Sequence, residues 1–327
     1  MLLAAGLFAY FLWRAPLGEV VRRIGEIHPA WLAVSVALAL FSYFLRALRW
    51  GVILSPLGRA RVGDLWGCTA AGFATSTVLP ARAGEVVRPL LLSGRSGLPA
   101  AGTLASIVTE RLADLATVVT LFSVAVFAAP SPLTHAWIVP LRRGADFIAA
   151  GLVVGAVAAL VLLHYREAAV ARAASLVPER WREPSRRFLQ HVLDGIEVVR
   201  KPVKLVQLAM WSLAVWAVIG LQVAALALAF GLHFGFGETY ILITVSVIGL
   251  SVPTPGGVGG FHAVTQFALT DMFGVGLGTA SAFALVHHAV SFFPITIVGL
   301  ATMAAYGLSF ARVRRLSESG PADGEEA

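Results

Sequence analysis

The sequence has a single cysteine, two lysines and few charges of either sign. Cys68 alone excludes an intrachain disulfide and a zinc site built from cysteines. Charged residues fill 13% of the 327 positions, against roughly 25% in a soluble domain. Apolar residues take their place: 58% of the chain is hydrophobic and the mean hydropathy is +0.81. Long apolar segments recur along most of the chain. This composition specifies an all-α, polytopic helical membrane protein of roughly seven to nine transmembrane segments, some of them broken or re-entrant. The net charge is +7, and only Lys201 and Lys204 are lysines. No basic stripe with interleaved aromatics is present, so nucleic acid is not an expected partner. The positive-inside rule accounts for the excess. Arginine in place of lysine suits planar recognition of phosphate, although a base-composition bias in the genome explains it more simply.

Other signatures are missing too. No glycine-lysine nucleotide loop, nucleophile motif, metal-binding acidic pair or pair of histidines at ligand spacing with a nearby carboxylate is present. No cofactor, metal or catalytic residue is therefore expected, and the chain does not read as an enzyme. The N-terminus begins apolar at once without a basic leader, so a cleaved signal peptide is not expected.

Residues 1–13 are apolar but short for a span, and residues 14–30 are mixed, with Arg14, Glu19, Arg22, Arg23 and Glu26. Residues 31–54 form a membrane helix ending in "FLRALRW", where Arg46 and Arg49 share a face. A modest apolar segment, 64–79, runs into "LPARAGEVVRP", with breaks expected at Pro80 and Pro89. Long helices follow over 99–129 and 145–163. Residues 164–202 hold eight Lys/Arg and five Asp/Glu, a basic connection placed in the cytoplasm. Within it Phe188, Leu189, Val192, Ile196 and Val199 recur at helical spacing, as in an amphipathic helix on the membrane surface or a solvated linker helix. Residues 203–230 are a full span. The loop 231–238 has no Lys or Arg and is placed outside. Short segments at 239–252 and 261–273 precede a long one at 277–308 that is interrupted at Pro294. Arg312, Arg314 and Arg315 put the C-terminus in the cytoplasm. One integral membrane domain over 1–310, with a disordered cytoplasmic tail over 311–327, is the expected organisation. Arg14, Arg22 and Arg23 would face outside in the simplest topology, which leaves the N-terminal orientation open.

The stretch "SVPTPGGVGGFH", residues 251–262, interrupts two segments that are each too short to span. Pro253 and Pro255 remove amide donors, and Gly256, Gly257 and Gly259 admit conformations closed to other residues. Such backbone is tolerated at membrane depth only where it is buried in protein or lines a wet cavity; otherwise the stretch is a tight hairpin outside the membrane. The first half has its own broken element, "TVLPARAGEVVRP". Two interrupted segments, one per half, point to a binding site between them. Arg82, Glu85 and Arg88 stand three residues apart, and Glu110, Arg111 and Asp114 follow in "IVTERLADLATVV". The three cations and three anions cancel, which suits either a structural ion-pair cluster or a site that opens to an anionic headgroup. His262, His287 and His288 are candidates for proton relay, although a histidine alone is more often a packed, hydrogen-bonded residue.

In order and separation, "FLRALRWGVIL", "TVLPARAGEVVRPLLL", "SGLPAAGTLASIVTERLADL" and "PTPGGVGGFHA" resemble the lysylphosphatidylglycerol synthase transmembrane-region family, also called flippase-like or UPF0104 membrane proteins. The resemblance covers about 30–310. It implies an inner-membrane protein of roughly eight helices with re-entrant segments. The best-understood members join this region to a soluble aminoacyl-transferase domain and move modified phospholipids between leaflets. That domain is not in this sequence, so lipid aminoacylation is not expected. Arg82, Gly84, Glu85 and Arg88 match the first family motif, Glu110, Arg111 and Asp114 the second, and Pro253, Pro255, Gly256, Gly257 and Gly259 the third. Many relatives carry glutamate where this chain has His262, which replaces a carboxylate with an imidazole. The expected function is translocation of an anionic or phosphate-bearing lipid, a membrane phospholipid or a polyprenyl-phosphate-type lipid, in the bacterial plasma membrane. The alternatives are a membrane-embedded transferase acting on a lipid-linked substrate and a scaffold for a lipid or glycan enzyme. A second copy of the chain or an enzyme of lipid synthesis would be its protein partner.

Overall fold

Proline begins two of the longest apolar helices. Its missing amide and fixed φ suit a first helical turn, and it opens α3 (Pro29–Ile53) and α10 (Pro202–Ala229). The computed structural model describes residues 2–79, 83–128, 135–175, 177–196, 201–251 and 255–308. Before α3 come α1 (Leu2–Arg14) and α2 (Leu17–Gly25). Between α3 and α10 lie α4 (Val62–Val78), α5 (Gly84–Ser96), α6 (Ala100–Ala128), α7 (His135–His164), α8 (Arg166–Ser175) and α9 (Glu179–Ile196). After α10 come α11 (Phe236–Leu250), a single 3-10 turn at Pro255–Gly257, α12 (Gly260–Phe267) with a π-helical turn at Ala268–Met272, and α13 (Leu277–Ala305). Among the described residues there is no strand. The fold is that of a helical membrane protein with broken segments. By length and composition α3, α10 and α13 can each cross a bilayer. The remainder is built from α4, the 29-residue α6, the 30-residue α7 and the short, interrupted pair α11–α12.

α3 and α10 pack along their length, tied by Ser35 Oγ donating to the Gln222 carbonyl at 2.9 Å. Around them Leu45, Phe122, Trp216, Leu226, Ile241, Leu242, Leu269 and Phe283 form one buried cluster. Trp50, Ile53, Leu54, Leu65, Val87 and Leu92 form a second, which joins α3, α4 and α5. Outward faces remain apolar, as on α7, where Phe147, Val153, Val154 and Val157 are exposed. This is the inverted economy of a lipid-facing helix, because hydrocarbon rather than water is its solvent.

Prolines break fewer helices than expected. α5 continues through Pro89 and α13 through Pro294. Buried neighbours hold each helix together across the proline: Val87, Arg88, Leu91 and Leu92 on α5, and Val290, Ile295 and Gly299 on α13. Membrane helices tolerate such prolines because adjacent groups satisfy the freed backbone, and the Tyr43 hydroxyl donates to the Ser291 carbonyl beside Pro294 at 2.8 Å. Pro80 lies outside the described residues. α7 starts at His135, ten residues before the expected boundary, and passes through Pro140. The basic connection is two helices, α8 and α9; the apolar positions expected at helical spacing lie on α9 as far as Ile196, and Val199 lies outside the described residues. Leu189 and Leu193 of α9 pack on Val170 of α8, and α9 also rests against α6. The expected tail over 311–327 lies outside the described residues.

Two glycines fix helix spacing. A Cβ on Gly84 would collide with the Gly72 carbonyl oxygen, and one on Gly299 with the Ala70 carbonyl oxygen. Backbone cannot move aside as a flexible side chain can. Gly84→Ala and Gly299→Ala are each expected to cost about 1–3 kcal/mol and to lower the unfolding midpoint of the detergent-solubilised protein. Gly151→Ala, whose Cβ meets nothing within 4 Å, is the control and should hold the midpoint or raise it, since alanine favours a helix interior over glycine. Equal midpoints for all three would contradict the packing.

Candidate functional site

Charged groups from α3, α5 and α6 converge on one buried network, with polar support from α10. On α6, Glu110 and Asp114 are four residues apart and so share a face. Asp114 Oδ1 accepts from Arg49 Nη1 at 2.7 Å and from Trp216 Nε1 at 3.0 Å. Its Oδ2 accepts from Arg46 Nη1 at 3.1 Å. Arg49 also reaches Glu110, Nη2 to Oε1 at 3.3 Å, and donates to Ser212 Oγ at 3.1 Å. The other oxygen of Glu110 accepts from Arg88 Nη1 at 2.9 Å. The side chains of Arg49 and Glu110 have no exposed surface. A lone charge here would cost several kcal/mol, so the network holds together as a unit.

The second layer is open. Arg111 pairs with Glu85 at 3.2 Å, with side chains 41% and 33% exposed, and lies 3.7 Å from Asp114. Arg111, Glu85 and Arg88 line a cleft of about 120 Å³. Gly256 and Gly257 line it too, with Phe73, Ile107, Leu250 and Phe292 as apolar lining. Positive φ values of 58°, 72° and 94° at Gly256, Gly257 and Gly259 turn the chain there, a conformation that side chains with a Cβ resist. His288 Nε2 meets the Gly256 carbonyl at 2.7 Å and steadies that turn from behind.

Of the residues singled out in the sequence, Glu85, Arg88, Arg111, Gly256 and Gly257 meet at the cleft. Glu110 and Asp114 stand behind it in the ion network. Pro255 opens the 3-10 turn. Gly259 and His262 do not line the cleft: His262 is 3% exposed, its Nδ1 accepts from the Gly259 amide at 3.4 Å, and its ring packs against those of Phe8, Phe11 and His288. Arg82 and Pro253 lie outside the described residues. Sequence reasoning noted that Arg46 and Arg49 share a face but left them out of the site. Two arginines inside a membrane helix were the available signal, since such charges are expected to find partners. Trp216 and Trp50 carried no comparable signal. Among the described residues no group of histidine, cysteine and carboxylate ligands could hold a metal. With Arg46 and Arg49 included, four described guanidinium groups face three carboxylates.

The model of the family described as lysylphosphatidylglycerol synthase TM region matches residues 1–299. A protein named glycosyltransferase AglD, from Haloferax volcanii, is 28% identical over 86% of this chain, which spans 49% of that protein's length. A protein named UPF0104 membrane protein, from Methanothermobacter thermautotrophicus, is 26% identical over 94% of this chain and 93% of its own. No solved structure matches.

Asp114→Asn removes a charge that Arg46 and Arg49 both use, and is expected to cost about 3–5 kcal/mol, in the range for breaking a buried ion pair. Glu85→Gln, at the exposed lip, should cost no more than about 1 kcal/mol. Unfolding midpoints and the yield of monodisperse protein measure the difference. Equal losses would contradict the division into a buried network and an open layer.

Proposed function

The chain belongs to the lysylphosphatidylglycerol synthase TM region family, and on that footing we propose that it moves an anionic, phosphate-bearing lipid between the leaflets of the membrane. The observation that carries this reading is one cleft lined both by guanidinium groups and by a glycine turn between short helices. Arginine forms strong, directional contacts with phosphate. The turn adds little side-chain bulk to the cleft, and interrupted helices around a shared site are a transporter feature. The apolar lining suits the first part of a hydrocarbon chain while the rest stays in lipid. In this reading the membrane is the bacterial plasma membrane and the C-terminus is cytoplasmic, following the arginines at 312, 314 and 315.

A second reading draws on the relative named a glycosyltransferase, half of whose length this chain spans. In it the same cleft presents a lipid-linked substrate to an enzyme instead of carrying it across.

Reconstituted vesicles separate the two. With a fluorescent phospholipid in both leaflets and an impermeant quencher outside, the wild type should expose the inner-leaflet pool faster than protein-free vesicles do. Arg111→Ala should slow exchange at least about tenfold, as the loss of a charge-assisted contact predicts, while remaining folded. Exchange no faster than in protein-free vesicles would overturn the translocase and favour the second reading.

A further inference from the structure

Arg88 is held on two sides and bare on the third. Its Nη1 is committed to Glu110 at 2.9 Å. The face of its guanidinium lies 3.9 Å over the Trp50 ring, a cation–π contact. That ring is itself pinned by Trp50 Nε1 donating to Ser106 Oγ at 2.8 Å. The remaining edge carries Nε and Nη2, and neither has a hydrogen-bond partner among the described residues, although Arg88 is 3% exposed and lines the cleft. A buried donor without an acceptor is costly and rare in native structures. This edge is also the part of a guanidinium that takes two oxygens side by side.

We propose that the Nε–Nη2 edge of Arg88 is the anchor for the ligand, a two-point receptor for the paired non-bridging oxygens of a phosphodiester monoanion. The class follows from charge and shape. Two donors side by side on one edge match the two non-bridging oxygens of a single phosphate. A phosphomonoester brings additional charge into a cleft that Glu85 also lines. Trp50 and Glu110 fix the edge, and lysine cannot imitate it because an ammonium is a point charge without a fork. The route in is the Arg111–Glu85 pair, the exposed part of the cluster: Arg111 exchanges Glu85 for the arriving phosphate. The assignment deepens the translocase reading but depends on binding alone.

The experiment is calorimetric titration of the purified protein in detergent with four probes. These are short-chain phosphatidylglycerol, its chain-free analogue glycerophosphoglycerol, short-chain phosphatidic acid and inorganic phosphate. Short-chain phosphatidylglycerol should bind more tightly than phosphatidic acid or inorganic phosphate, and Arg88→Lys should weaken it by about tenfold or more, as the loss of a hydrogen bond to a charged group predicts. Trp50→Leu keeps Arg88 but removes the surface it lies on; it should weaken binding as well, and it carries the test if Arg88→Lys fails to fold. Equal binding by wild type and a folded Arg88→Lys, or tighter binding of phosphatidic acid, would overturn the assignment. Binding of glycerophosphoglycerol as tight as that of the lipid keeps Arg88 as the anchor but gives it a soluble ligand. Lipid exchange that survives Arg88→Lys refutes the anchor and spares the translocase. Binding without any exchange does the reverse.

Discussion

The pairing of Arg49 with Asp114 and Glu110 is the constraint on which the rest of the structure depends. These side chains are almost wholly removed from solvent, and their charges are tolerable only together. Satisfying them fixes α3 against α6. Trp216 and Ser212 bring in α10, and Arg88 brings in α5. Apolar packing between membrane helices is weakly directional, because lipid tails are as apolar as leucine. A network of charges with defined partners supplies the register that hydrophobic contact alone would leave loose.

The cleft is a consequence of that register. With Arg49 and Arg88 fixed by Glu110, the more exposed pair Arg111–Glu85 is left at the surface of the cluster, free to rearrange at lower cost than anything behind it. The close approach of α4 and α5 at Gly72 and Gly84 and the left-handed turn at Gly256–Gly257 both contribute to its lining. Behind the turn, His288 and His262 bond to backbone groups of the same glycine segment.

Much of this was legible in the sequence because lipid simplifies the code. Long apolar runs gave α3, α10 and α13 to within a few residues. Charges inside such runs are costly, so Glu110 and Asp114 announced partners. Proline was misleading. In a soluble helix Pro89 and Pro294 would be probable breaks, but neighbouring helices and the Tyr43 hydroxyl support the backbone here, and packing outweighed propensity. Tertiary partnership was the least legible feature. Arg46 and Arg49 sit 65 or more positions from Asp114 in the chain, and nothing local in "FLRALRW" says which carboxylate they meet. The docking of α9 on α6 was hidden for the same reason: periodicity shows that a helix has an apolar face but does not show what covers it.

A hydrated cleft that joins the arginine cluster to the glycine turn and accepts a phospholipid headgroup, as proposed, must be open to a water-soluble reagent. The chain's one native cysteine, Cys68, is fully buried, so a cysteine placed at Ser76, which lines the cleft, reports on it alone. The most direct measurement is the rate at which Ser76→Cys reacts with a water-soluble thiol reagent in reconstituted protein. Ready labelling is expected in the folded state, slowed by added short-chain phosphatidylglycerol. A thiol that stays silent until the protein is unfolded, or that labels at one rate with and without the lipid, would contradict it.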